Sequence, residues 1–401
     1  MLSAVHTDRS GRVYVSAECT AAGFDGASTV PLERWLPLPL GATLAPLARE
    51  ADGLDRHGRA RGLGRDRWAL GAVLPPGYVR ALYPAYRPTT DPISGEPSAA
   101  VGADENGALA VAAILTDPAA VLHTVTEPAT LAQRVAEVLR ASSGNRLLRQ
   151  LARCARESGC ADARAIFLGT GRGSLPIGAI RSTAASLLPS EDSDPVDLLL
   201  RRGLERATPA EPAAFRPTAI EIAEVAIRHL EQGGTMVSFG RACDGEPLVA
   251  VRLVEDAVAR IREATKRGTI HLETDGTRPQ ALRRVLDAGV DAVTVRLETG
   301  RANLRRESLL AAARAGASLA LAIPVRPGWT DTQAEVDALE SLLASLPGGL
   351  LIFRDAPGDP RATPRPATLG APLGIGVALA RLRDDAPRFR MAAFAEPVVA
   401  A

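Results

Sequence analysis

From residue 215 onward the chain alternates between two hydrophobic periods. Apolar residues three to four apart predict helices over 218–232, 248–266, 279–288, 304–315 and 332–346. Between them, short runs rich in Val, Ile and Leu predict strands over 235–239, 269–274, 292–297, 318–325 and 349–353. Helices alternating with strands are the pattern of a parallel sheet joined by right-handed crossovers. The apolar run 175–177 adds a first strand, for six in all, enough for a partial barrel rather than a full eightfold one. Residues 1 to about 120 have another rhythm, with strands expected over 11–15, 70–74 and 109–115, each bounded by Gly, Pro, Asp or Asn. Helices are expected over 128–141 and 146–158, with Gly144 as a stop between them, and a long polar loop over 189–214. A Pro-rich linker over 357–372, a helix over 374–384 and a loosely held tail complete the chain.

Composition narrows the function classes. The formal net charge of the 401 residues is +1 and aromatics make up 3%, so neither a basic footprint nor stacking platforms point to nucleic acid. No apolar run reaches the ~18 residues of a membrane span, and the N-terminus lacks the basic start and apolar run of a signal peptide. Cys19, Cys154, Cys160 and Cys243 are too scattered for a disulfide scaffold and read as structural thiols. These features lead us to expect a soluble cytoplasmic protein.

Strand alternation supplies the candidate chemistry. His271, Glu273 and Asp275 share one face of their strand, and Thr294, Arg296 and Glu298 share one face of the next. With the apolar faces against the helices, these polar faces meet, and Arg296 is expected to pair with Glu273 or Glu298. Three readings stay open: a general acid–base site carried by His271, Glu273 and Glu298, a metal site on His271 and Glu273, or a structural ion-pair network. A His and a carboxylate two apart without a third placed ligand name no metal, so none is assigned. Gly169-Thr170-Gly171-Arg172-Gly173-Ser174 lacks the Lys-Ser/Thr of a phosphate-binding loop, and no GxSxG occurs.

Several segments resemble the radical S-adenosylmethionine (radical SAM) family. Val237-Ser238-Phe239-Gly240-Arg241-Ala242-Cys243-Asp244-Gly245-Glu246-Pro247-Leu248 is similar to that family's second strand and GGEPLL-type turn. Residues 269–276, 294–299 and 322–331 sit where later barrel motifs of the family stand. Residues 144–154 and 35–39 resemble the front end of a bacterial radical SAM subfamily without an assigned reaction. The likeness spans most of residues 7–355. It implies an α/β fold, a partial (βα)6 radical-SAM-type barrel over 171–356. An N-terminal β-rich or α+β domain over 1–125 precedes it, with a helical connector over 126–170, and a linker and helix over 357–401 follow. By the same resemblance Asp244, Gly245, Glu246, Asp275 and Arg296 would hold SAM.

One departure governs the functional expectation. The family's CxxxCxxC cysteines would fall at Gly178, Ser182 and Ala185, and none of these offers a thiolate for a four-iron four-sulfur cluster. No cluster is therefore expected. The resemblance then implies a non-radical protein that binds a small molecule, SAM included, in the barrel mouth, or partners an active radical SAM enzyme. Two alternatives remain: an enzyme using SAM or another small molecule through the polar barrel residues, and a radical SAM enzyme with an atypical cluster site.

Overall fold

The computed structural model describes residues 1–88, 98–118, 124–125, 144–147, 149, 165–170, 173–179, 183–184, 210–212, 215–231, 236–240, 246–356, 360–361 and 365–399. The chain is a mixed α/β protein. Its later half is built on six parallel strands: β1 (Met236–Phe239), β2 (Thr269–Thr274), β3 (Ala292–Arg296), β4 (Ser318–Val325), β5 (Gly349–Asp355) and β6 (Phe389–Ala392). They are hydrogen-bonded in that order, all parallel. Helices α1 (Ala219–Glu231), α2 (Val251–Ala264), α3 (Pro279–Ala288), α4 (Arg306–Arg314), α5 (Gln333–Ala344) and α6 (Ile375–Asp385) alternate with them.

A strand order that never reverses, joined by right-handed crossovers, drops every helix on the same face. The core agrees: Leu272, Val295 and Leu321 of the sheet are buried in one cluster with Val258, Val285 and Leu339 of the helices. Each such side chain contributes about 1.5–3 kcal/mol on burial, so this face holds the sheet together. Local signals end the helices where expected. Thr218 and Glu221 form a reciprocal capping box at the start of α1, Thr218 Oγ1 accepting from Glu221 N at 3.2 Å and Glu221 Oε2 from Thr218 N at 2.9 Å. Pro279 opens α3, and Gly289, at φ +119°, closes it.

Three expectations are corrected. The strand at 175–177 does not lead the parallel sheet: Gly173–Ala179 pairs antiparallel with Ala165–Thr170, and the sixth parallel strand is Phe389–Ala392. Four residues reading Phe-Arg-Met-Ala carry too little alternation to announce a strand, and only pairing with β5 makes them one. The helix expected from residue 248 begins as a 3-10 turn, Pro247–Ala250, closed by Val249 N donating to Glu246 O at 3.3 Å. The tail is pinned: Ala393 N donates to Asp117 Oδ2 at 2.9 Å, and Val398 N and Val399 N both donate to Thr269 Oγ1. The expected helix 128–141 lies outside the described residues, as does 146–158 except at 146, 147 and 149. So does most of 189–214, of which Ala210–Pro212 is a short strand parallel to Ala165–Thr170.

The N-terminal residues form a nine-stranded sheet whose pairs are antiparallel. The strand expected at 109–115 splits at Ala112 into Leu109–Val111 and Ala113–Leu115, which join different sheets. This N-terminal body docks on the carboxyl ends of β4 and β5. Arg80, 1% exposed, donates to Val325 O at 3.2 Å and to Ala356 O, and its backbone N–H reaches Asp355 Oδ1 at 3.0 Å. Its guanidinium also stacks 4.3 Å from the Tyr83 ring centre. Nearby, Gly26 and Gly328 let two backbones touch: a Cβ on Gly26 would stand 2.1 Å from Pro327 O.

Candidate functional site

The face of the sheet opposite the helices is polar. Register places Ser238 beside His271, Glu273 beside Thr294, and Pro324 beside Arg354. Neighbouring strands lie ~4.8 Å apart, so β2 and β5 would stand about 14 Å from each other across a flat sheet. Yet Arg354 on β5 grips Glu273 on β2, Nη1 to Oε1 at 2.7 Å and Nη2 to Oε2 at 3.1 Å. Contact over three strands requires this face to be concave.

The Glu273–Arg354 fork is the electrostatic centre of the site. Glu273 has a fully buried side chain, whereas Arg354 keeps 23% of its side-chain exposure. Burial pushes the Glu273 carboxyl up, but Arg354, and then Arg296 and His271, pull it below its ordinary value overall. Arg296 stands farther off, Nε to Glu273 Oε1 at 3.9 Å. The expected Arg296–Glu273 pair therefore exists at long range, and Arg354 is the principal partner.

His271 is wholly enclosed. One ring nitrogen, Nδ1, bonds to Ser238 Oγ, and Nε2 bonds to Thr294 Oγ1 at 2.8 Å. Burial lowers its pKa to about 4, Glu273 opposing and Arg354 assisting, so the imidazole is neutral at physiological pH. With one nitrogen donating and the other accepting, the ring is satisfied by the two hydroxyls. A Ser–His contact of this kind invites a nucleophilic reading, but a base held near 4 takes a serine proton poorly.

The remaining candidates sit at the rim. Glu246 follows β1 and ties the turn after it to the end of β2: Oε1 accepts from Leu248 N at 2.9 Å and Thr274 Oγ1 at 2.8 Å, and Oε2 from Asp275 N at 2.6 Å. Burial raises its carboxyl to about 7 despite these donors, with the Asp275 charge assisting. Asp275 is half-buried. Burial raises its carboxyl, but the Thr277 hydroxyl and N–H on Oδ1 bring it below normal overall. Glu298 does not join this group. It lies exposed past the end of β3, paired with Arg305 at 2.6 Å and Arg301 at 3.5 Å. Leu297 N already bonds to Ala322 O as the strand ends, so alternation no longer governs residue 298. Asp244 and Gly245 lie outside the described residues, as do Ser182 and Ala185, while Gly178 is a strand residue opposite Ile166.

Sequence reasoning missed Arg354 by ending its strand at residue 353. Extending the alternation of Leu350 and Ile352 by one step places Arg354 on the polar face. It also missed the two walls of the site. The tail segment held by Thr269 closes the amino end of the face, and Arg80 with the Gly26–Gly328 contact covers the carboxyl ends of β4 and β5. The carboxyl ends of β1 to β3, with Glu246 and Asp275, lie outside those contacts. Among the described residues no group of three or more His, Cys, Asp or Glu is arranged to hold a metal ion, and no helix is long and apolar enough to cross a membrane.

No family model matches the chain, and no curated protein matches it. Among solved structures, it is similar to the carboxyl transferase domain of Rhizobium etli pyruvate carboxylase with 3-bromopyruvate, at 17% identity and TM-score 0.25. That match covers 35% of this chain and 27% of the other. It is also similar to an enolase from Mycobacterium smegmatis complexed with formate and acetate, at 12% identity and TM-score 0.28, covering 80% of this chain and 68% of the other. Likenesses of this strength carry no functional argument.

Proposed function

We propose that the chain is a radical-SAM-like protein, a partial (βα)6 barrel without a cluster, which binds a small molecule, SAM included, at the carboxyl ends of β1 to β3. The observation that carries this reading is the commitment of the polar face to itself. Glu273 is held by a two-pronged Arg354, and His271 is neutral between two hydroxyls, so neither is poised to move protons. Gly178, Ser182 and Ala185 supply no thiolate, which agrees with binding rather than radical chemistry. The sequential parallel sheet and its concave polar face support the barrel reading. The half-buried Asp275 side chain at the rim is the group placed to shape the mouth, with Glu246 holding its backbone N–H from behind.

The test has two arms. Anaerobic reconstitution with iron and sulfide is expected to leave the protein without stoichiometric cluster or charge-transfer absorbance. Calorimetric titration with SAM is expected to give one site that Glu246→Gln weakens. Stoichiometric iron and sulfide would overturn the cluster-free reading, and absence of SAM heat would remove SAM from the ligands of the mouth.

A further inference from the structure

An aromatic and acidic slot is built into the N-terminal body, beside the seam it makes with the parallel strands. Residues 83–87 run between two partners. Tyr83 pairs antiparallel with Phe24, and farther on Asp52 N donates to Ala85 O at 3.1 Å and Arg87 N to Glu50 O at 2.9 Å. The pairing brings Phe24, Tyr86 and Asp52 around one side chain, that of Arg361, which comes from the linker leaving β5.

The Arg361 guanidinium carbon lies 4.3 Å from the centre of the Phe24 ring and 4.7 Å from that of Tyr86, and Nη1 donates to the Tyr86 carbonyl. Both ring quadrupoles attract the cation. Tyr86 is buried and the Asp52 side chain is 9% exposed, so water screens these contacts little.

The local charge also calls for a cation. Arg87 Nε stands 3.4 Å from Asp52 Oδ1 and 4.0 Å from Glu50 Oε1, so one guanidinium serves two carboxylates. Burial pushes the Asp52 carboxyl up, and Arg87 and then Arg361 pull against it. Arg361 supplies the second positive charge.

The same linker is fastened across the seam. Arg365 Nε donates to Gly328 O and Nη2 to Gly370 O. Gly328 is the residue whose backbone meets Gly26, close in sequence to Phe24. Arg361 thus grips the N-terminal body and Arg365 the loop after β4, and the linker straps one to the other.

We propose that the slot is a receptor for an arginine side chain, filled in cis by Arg361, and that a peptide segment presenting an arginine competes for it and unfastens the strap. Arginine is favoured over lysine because its planar guanidinium stacks on both rings while its edge reaches the carbonyl. A cis ligand acts at an effective concentration in the millimolar range, so a competitor of that strength displaces it.

The test uses the full chain with N-acetyl-arginine methylamide and N-acetyl-lysine methylamide, followed by ligand-observed NMR and hydrogen exchange. In Arg361→Ala the slot is vacant, and the arginine probe is expected to saturate it about ten-fold more tightly than in the wild type and about ten-fold more tightly than the lysine probe. Adding Phe24→Leu to that variant should weaken the arginine probe again. In the wild type, about 50 mM of the arginine probe should speed exchange in residues 365–370, where the strap is held. No saturation of Arg361→Ala below about 20 mM, equal affinity for the two probes, or unaltered wild-type exchange at 365–370 would each overturn the assignment. The wild-type arm decides alone if Arg361→Ala fails to fold.

Discussion

Removing Arg354 should be the most damaging single change on the polar face. In Arg354→Ala the buried Glu273 carboxylate loses two charge-assisted hydrogen bonds and keeps only Arg296 at 3.9 Å. Breaking a buried pair from one side costs about 3–5 kcal/mol, and the residual Arg296 attraction places the expected loss near about 3 kcal/mol. Arg296→Ala removes only the distant partner and should cost about 1 kcal/mol. The double change Glu273→Leu with Arg354→Met removes both charges and should return most of the stability, since a buried pair replaced by apolar side chains is often neutral. The sign with pH is definite. Without Arg354, burial prevails and the folded-state carboxyl rises above its unfolded value, so the penalty is full at high pH and shrinks as falling pH protonates Glu273. Urea unfolding followed by circular dichroism at pH 8 and pH 5 reads all of this. A loss in Arg354→Ala below about 1 kcal/mol, or one equal at both pH values, would refute a buried clamp.

Three further outcomes follow from the structure. Arg80→Ala should cost about 3–5 kcal/mol, because Asp355 and two strand-end carbonyls lose a buried cation, and should split unfolding into two transitions visible by calorimetry. His271 and Glu246 should give opposite pH slopes. Stability from His271, held at about 4 against an ordinary 6.5, is lost as pH falls from about 6.5 to about 4; that from Glu246, raised from 4.5 to about 7, is lost as pH rises through that window. Relative to the wild type, urea midpoints in His271→Asn should therefore fall as pH rises from 4.5 to 6.5 and those in Glu246→Gln should rise; profiles parallel to the wild type in both variants would contradict the argument. Thr269→Val should release the tail, speeding hydrogen exchange at the Val398 and Val399 amides, at a cost of about 1–3 kcal/mol.

What the sequence determined by itself is local. The capping box at Thr218 and Glu221 and the glycine stop at Gly289 are local signals that the structure brings out. The helix and strand rhythm from residue 215 is of the same kind, resting on contacts a few residues long, and was legible in advance. So was the shared polar face of His271, Glu273, Thr294 and Arg296, because alternation along a strand is a property of the backbone alone. Only the tertiary structure decided which charges meet. Arg354 lies 81 residues from Glu273, Arg80 lies 275 from Asp355, and Val398 lies 129 from Thr269. No local pattern encodes such separations. The same holds for β6, whose four residues become a strand because β5 has an open edge, and for Glu298, released when β3 ends. Periodicity says which side of an element a residue occupies; the curvature of the sheet and the docking of the N-terminal body decide what waits for it there.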